Sequence, residues 1–153
     1  MKITRLTAAL SIMISLSMLF CTGCQNAEME MESLMATIDS FETAWSEGDF
    51  LKVDTFFADD AKRLHTEPDV WDREAITKWC EEQASKIAEN TEPVVKTNWK
   101  EGRNYLDIRI EGNIAYDVFT TSTFKVIHIW EKQKNGSWKI LFDMGILNQP
   151  EEE

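Results

Sequence analysis

The chain has 153 residues, three cysteines and a formal net charge of −11 at pH 7. So acidic a composition disfavours binding to nucleic acid or to anionic lipid, and we expect neither. After removal of an N-terminal export signal, the remaining length suits one domain, which is large enough to bury a core without disulfides.

Residues 1–23 are predicted to be an export signal. Lys2 and Arg5 precede an apolar run over residues 6–20, and small residues follow it. Fifteen apolar residues are fewer than the ~20 that a permanent membrane-spanning helix needs. A basic start, a short apolar segment and small residues before a break are typical of a signal peptide.

The end of this segment resembles the cleavage box of bacterial lipoproteins. Thr22-Gly23-Cys24 fits the pattern of two small residues and a lipidated cysteine, although Cys21 stands where Leu is usual. The resemblance implies lipidation at Cys24 and a cell-envelope protein that contacts the membrane through its lipid anchor only. In a Gram-negative source it would be on the outer membrane, facing the periplasm. Simple secretion, with cleavage a few residues later, is the alternative.

The pattern after the signal predicts a tether over residues 24–30, one domain over residues 31–148 and an acidic tail over residues 149–153. Apolar residues recur at helical spacing from Met31 to Trp45, and Gly48 ends this helix. Asp49 is expected to cap a second helix through Phe57, and Asp72 a third that stops before residues 90–93. Cys80, on the third helix, is expected to be a buried small hydrophobe.

The second half of the chain has a period of two, which predicts strands. Residues 59–60 are predicted to form a turn before a short strand at Ala61–His65, and Val70-Trp71 a second extended piece. The later strands are predicted at residues 94–99, 105–111, 114–121, 124–132 and 138–144. Asn135-Gly136 between the last two is a strong hairpin signal. The order predicts an α+β fold, with three N-terminal helices packed on a strongly bent, mainly antiparallel sheet that leaves a cone-shaped hollow.

Several segments, in this order and spacing, resemble the SnoaL-like group of the nuclear-transport-factor-2-like superfamily. The resemblance covers about residues 31–148. It implies a cone with an apolar pocket, and a homodimer formed through the open sheet face. Asp72 departs from the family, which often has Gly there. The matching segments are Phe41–Phe50, Phe57–Ala61, Arg73–Ile76, Trp130–Lys132 and Asn135–Ile140.

Three side chains are candidates for acid/base chemistry. Asp143 lies among apolar residues in a stretch that resembles the tail of polyketide cyclases, in which an aspartate acts as acid or base. An apolar site raises the pKa of a carboxylate, and histidine titrates near neutrality, so His128 and His65 are the other candidates. Each side chain could instead have a structural role. Asp143 could be a strand-end aspartate held by backbone amides, His128 a packed core histidine, and His65 an exposed histidine.

Four aromatic residues are candidates for ligand binding. Tyr116 could donate a hydrogen bond from its strand, but it lies on the opposite face from Asp117. The tryptophans could line the cone or pack in the core. No group of Cys and His has zinc spacing, and we expect no metal and no cofactor. The tryptophan candidates are Trp71, Trp99 and Trp130.

The sequence therefore leaves three functions open. The first is an exported, lipid-anchored domain that binds a small apolar molecule in its cone. The second is an isomerase, cyclase, dehydratase or hydrolase that uses Asp143 with a histidine. The third is a self-association module without catalysis. Converging polar groups in the cavity would favour the enzyme, and a filled cone with an extensive apolar sheet face would favour the third.

Overall fold

The structure, a computed structural model, describes residues 4–64, 69–89 and 102–148, with side chains from residue 26 onward. The chain divides into two compact units, Met1–Leu34 and Met35–Glu153. Helix α1 (Thr4–Glu47) supplies the first unit and enters the second. It includes residues 24–30, for which the sequence predicts a tether. Within the described ranges, no helix has both the length and the apolar character that a membrane span requires.

The second unit contains two further helices, and the first of them is shorter than predicted. Gly48, at φ +72°, ends α1 in a backbone conformation that favours glycine. Asp49 then accepts a hydrogen bond from the Lys52 amide (3.1 Å) and caps α2 (Phe50–Asp54). The prediction of a helix through Phe57 was wrong, because Phe57 already belongs to a strand.

Helix α3 (Arg73–Ala88) confirms the prediction of a third helix capped by Asp72. The Asp72 carboxylate accepts a hydrogen bond from the Ala75 amide (3.0 Å). Arg73 joins this helix to α2, since its Nη1 lies 2.6 Å from Oδ1 of Asp54. Cys80 is buried on α3, as predicted, and burial raises the pKa of its thiol to about 12. So high a pKa makes Cys80 a packing residue rather than a nucleophile.

Five strands form one curved sheet in the order β1-β5-β4-β3-β2. β1 is parallel to β5, and all other neighbours are antiparallel, so the α+β fold class and the mainly antiparallel sheet are confirmed. Gly136, at φ +87°, lies in the predicted Asn135-Gly136 turn. The strands are β1 (Phe57–Leu64), β2 (Asn104–Glu111), β3 (Ile114–Thr120), β4 (Phe124–Lys132) and β5 (Trp138–Leu147).

The first strand begins earlier than the sequence indicates. The turn predicted at Asp59-Asp60 is wrong, because both residues lie within β1. Pairing with β5 supplies backbone partners from a distant segment, and such tertiary pairing overrides local turn propensity. The extended piece at Val70-Trp71 is reduced to one bridge, between Trp71 and Arg63. The strand predicted at residues 94–99 lies outside the described residues.

Aromatic side chains fill the space between the sheet and the second unit's part of α1. The Phe41 ring lies 5.6 Å from the ring of Phe56, 5.5 Å from that of His128 and 6.1 Å from that of Trp130. Trp130 and Trp138 are fully buried on the same face of the sheet. This inner face is where the candidate site lies.

Candidate functional site

A β-bulge at Leu141 decides which face of β5 carries Asp143. Across the β4–β5 pair, Trp130 is opposite Ile140 while Ile129 is opposite Phe142, so Leu141 has no partner of its own. Residues on a strand alternate between faces, and one extra residue reverses the alternation. Ile140 and Asp143 therefore both face inward although an odd number of positions separates them.

The bulge completes a row of charged and titratable residues across four adjacent strands. Register pairs Arg63 of β1 with Asp143 of β5, Asp143 with His128 of β4, and His128 with Asp117 of β3. Nε of Arg63 lies 3.2 Å from Oδ2 of Asp143, and Nε2 of His128 lies 3.6 Å from its Oδ1. Nδ1 of His128 lies 3.2 Å from Oδ1 of Asp117. We call these four residues the charged row.

All four members of the charged row are buried, which makes their mutual contacts energetically important. Asp117 is fully buried, and its Oδ1 also accepts a hydrogen bond from the Trp130 indole. Burying an ionised side chain is costly unless an opposite charge or a hydrogen bond compensates it. Carboxylates thus alternate with basic side chains along the row, so each charge has a compensating neighbour.

The environment of His128 favours its protonated form. Burial acts to lower its pKa, but the negative charges of Asp117 and Asp143, on either side of the ring, raise it above its usual value. A protonated ring would offer one N–H to each carboxylate. His128 is therefore a side chain that can hold or release a proton at the inner face of the sheet.

Arg63 lies in a box of three tryptophan rings. Its guanidinium carbon is 4.6 Å from the ring centroid of Trp79, 5.5 Å from that of Trp71 and 5.6 Å from that of Trp45. These distances fit cation–π contacts, which gain strength when the cation is desolvated. Arg63 is 7% exposed, and its Nη1 has no hydrogen-bond partner in the described part of the chain. A buried donor in that state costs about 1–3 kcal/mol.

A half-enclosed cavity of about 110 Å³ lies at the inner face. One part of its wall is apolar, and another consists of ionisable groups, including three adjacent members of the charged row. Thr121 and Val126 complete the wall. The apolar aromatic wall is Phe41, Trp45, Phe119 and Phe124, and the ionisable groups are Arg63, Arg103, His128 and Asp143.

A second buried ionic cluster supports the wall at Arg103. Glu42 of α1 is 4% exposed and accepts hydrogen bonds from the Arg103 guanidinium and the Tyr105 hydroxyl. The Arg103 guanidinium carbon lies 4.1 Å above the Phe119 ring. Burial, followed by the hydrogen bond to Glu42, raises the pKa of Tyr105, so its hydroxyl remains a hydrogen-bond donor at neutral pH.

The structure brings together two of the three acid/base candidates. Asp143 and His128 are cross-strand neighbours and both line the cavity. His65 lies outside the described residues. Within those residues, no three His, Cys, Asp or Glu side chains are grouped so that they could hold a metal ion.

The three described aromatic candidates for ligand binding do not lie together at one site. Tyr116 lies on the outer face of the sheet, where its hydroxyl donates to Oδ2 of Asp107 (2.6 Å), so it is not brought to the cavity. The Arg63 guanidinium lies over the Trp71 ring, and Trp130 is fully buried and donates a hydrogen bond to Asp117. Trp99 lies outside the described residues. Cys24 falls within α1, in the part without described side chains.

Sequence reasoning missed Arg63, Asp117 and Arg103. The alternation from Ala61 to Arg63 in the predicted first strand was a usable signal, since it places both side chains on one face. For Asp117, the sequence indicates only that its side chain lies on the opposite face of the strand from that of Tyr116. Nothing local marks Arg103, because its partner Glu42 is 61 residues away in sequence.

Comparison with known proteins finds similar folds rather than close relatives. No family model matches the chain, and no curated protein matches it. A ketosteroid isomerase-like protein from Erwinia carotovora atroseptica SCRI1043 is 12% identical, with 79% of this chain and 98% of that chain covered and a TM-score of 0.56. An NTF-2-like protein of unknown function from Silicibacter pomeroyi DSS-3 is 16% identical, with the same coverage and TM-score.

A cystatin-like fold protein from Burkholderia xenovorans LB400 is 20% identical, with 82% of this chain and 97% of that chain covered and a TM-score of 0.55. Identities this low show the fold alone and leave the function open. The inner-face cavity, the curved mixed sheet and these likenesses together support one structural conclusion. The chain has the cone fold of the nuclear-transport-factor-2-like proteins.

Proposed function

We propose that the domain binds a small molecule in the inner-face cavity. The observation that carries this proposal is the cavity itself, which is half-enclosed and has four aromatic side chains in its wall. Pockets that hold small molecules are typically concave and mostly apolar, with a few fixed polar groups. The rings of Phe41, Trp45, Phe119 and Phe124 would contact the apolar part of the ligand.

The volume limits what the cavity can enclose. An apolar protein cavity of roughly 150 Å³ accepts benzene, whereas this cavity measures about 110 Å³. The enclosed part of a ligand is therefore small, and any larger ligand would extend into solvent.

Filling the cavity tests this proposal. Val126 lines it, whereas Ile127, the next residue on β4, faces the outer side of the sheet. We expect saturable binding of 1-butanol to the full chain, followed by NMR, and at least ten-fold weaker binding to Val126→Phe. Ile127→Phe is the matched control and should bind as the unchanged protein does. Equal binding by the two variants, or none by the unchanged chain, would contradict the proposal.

Acid/base catalysis is the second candidate, and the Asp143–His128 neighbourhood favours it. Both side chains line the cavity, so each lies within reach of a bound molecule. A general base of this kind would remove a proton next to a carbonyl group. We expect the unchanged chain to accelerate deuterium uptake at the α-carbon of 2-butanone and Asp143→Asn to lose the effect. Uptake no faster than in buffer would count against catalysis.

We also propose that the domain is exported and anchored through a lipid at Cys24. The support is the basic start, the short apolar segment and the Thr22-Gly23-Cys24 box. Two acyl chains would hold the protein stably at a membrane surface.

A homodimer through the outer face of the sheet is the remaining proposal. Ile127 and Ile129 are half-buried at the centre of that face, with charged Lys125 and Glu131 beside them on the same strand. An apolar centre with a polar rim is the usual anatomy of a protein interface. Register places the apolar neighbours Val118, Phe142 and Met144 on the strands at either side.

A further inference from the structure

We propose that the ligand of the cavity is a small carboxylate whose charged end is bound by Arg63. The inference rests on the proposed binding function and specifies the chemical class of the ligand. Its carboxylate would lie at the Arg63 side of the wall, and its short apolar part would contact the aromatic side chains.

The first support is that Arg63 is a buried cation with an unused donor. It is 7% exposed and forms part of the cavity wall, and its Nη1 makes no hydrogen bond to any described residue. Nε lies 3.2 Å from Oδ2 of Asp143, but it is off the direction that a hydrogen bond needs. The tryptophan faces stabilise the charge without accepting a conventional hydrogen bond through oxygen. Because Arg63 lines the cavity, an acceptor oxygen of a bound ligand would lie beside a guanidinium that has an unused donor.

The second support is the charge of the wall. Its described ionisable members are two guanidinium groups, one imidazole and one carboxylate. Asp143 is already close to both Arg63 and His128, and Arg103 adds positive charge above the Phe119 ring. Behind the wall, Asp117 faces His128, and Glu42 with Tyr105 faces Arg103. While His128 is protonated, the wall itself presents three cations and one carboxylate, because the two other carboxylates, Asp117 and Glu42, lie behind it.

The third support is chemical fit. A carboxylate is planar and only accepts hydrogen bonds, so it matches the donor geometry of a guanidinium better than a neutral carbonyl does. The cavity of about 110 Å³ is smaller than the roughly 150 Å³ cavity that accepts benzene, so the apolar part of the ligand is short. Butyrate, which has a three-carbon apolar chain, is therefore a suitable probe.

The test compares butyrate with two neutral molecules of similar shape, butyramide and 1-butanol. NMR titration of the full chain at pH 6 should show butyrate binding at least ten-fold more tightly than either. Arg63→Met should remove this preference, and Arg63→Lys should keep part of it, because a lysine retains the charge without the fork. Arg109→Met is the matched control, since Arg109 is 61% exposed on the outer face, and it should change nothing.

The contact between butyrate and Arg63 can also be measured in the unchanged chain, so that the test does not depend on a variant that fails to fold. The guanidinium nitrogen resonances of Arg63 in the unchanged chain should shift on addition of butyrate and not on addition of 1-butanol. If butyrate binds no more tightly than butyramide, the carboxylate proposal is overturned while the cavity remains a binding site. If none of the three molecules binds, the proposed function fails with it.

Discussion

Asp143 and His128 are opposite one another on β5 and β4, with 3.6 Å between Oδ1 and Nε2, because the bulge at Leu141 turns Asp143 inward. If Leu141 followed the regular alternation of the strand instead of bulging, Asp143 would lie on the outer face. A single backbone irregularity therefore joins the charged row to the cavity.

Deletion of Leu141 should leave Asp143 on the inner face. The deletion removes the unpaired residue, so Ile140 and Phe142 follow each other in regular alternation and Asp143 stays opposite His128. One alanine inserted after Phe142 should instead turn Asp143 outward and leave buried Arg63 and His128 without its charge. We expect the deletion variant to keep cooperative unfolding in urea, measured by tryptophan fluorescence, and the insertion variant to lose it. Similar transitions for both variants would contradict this register.

Asp143→Asn should destabilise the domain by about 3 kcal/mol, because removing one partner of a buried ion pair costs roughly 3–5 kcal/mol. The change removes the negative charge beside Arg63 and His128, both of which are buried. It should also lower the pKa of His128, because one of the two carboxylates that raise it is lost. Urea unfolding and an NMR titration of the His128 ring measure the two effects. An unchanged His128 pKa would contradict the row as described.

The stability of the domain should depend on pH through His128. Its folded pKa is raised, so its contribution is fully present below the unfolded pKa of about 6.5 and is lost as pH rises through the folded pKa. Each unit of difference between the two pKa values is worth about 1.4 kcal/mol. In urea unfolding between pH 6 and pH 9, the stability advantage of the unchanged chain over His128→Gln should decrease with pH. A constant difference would exclude this linkage.

Lipidation can be tested at the two cysteines of the signal region. Cys24→Ala should abolish incorporation of a labelled fatty acid and release the protein from the membrane fraction. Cys21→Ala is the matched control and should remain labelled, because only the cysteine after Thr22-Gly23 fits the cleavage box. Labelling of both variants, or of neither, would contradict the assignment to Cys24.

The outer-face dimer predicts an effect of charge at the centre of the sheet. Ile129→Glu should convert the protein from dimer to monomer in analytical ultracentrifugation, because it buries a charge in an apolar interface. Lys78→Glu alters an exposed residue of α3, outside the proposed interface, and should leave the dimer intact. A monomer at every concentration in the unchanged chain would exclude the dimer.

Local patterns were sufficient for much of the fold. Asp72 and Gly48 mark helix ends that the structure confirms, and the period of two predicts β2 to β5 within a few residues. These features depend on neighbours in sequence, so a single chain displays them. Asp59-Asp60 were misread for the same reason, since β1 is held by β5, some 80 residues later.

The sequence by itself determined the α+β class, the mainly antiparallel sheet and the apolar faces that pack it, because side-chain periodicity and turn chemistry are local properties. Tertiary structure alone decided that Arg63, Asp143, His128 and Asp117 form one row. Their meeting depends on strand order, register and an unpaired Leu141, and these arise from hydrogen bonding between segments that are distant in the chain.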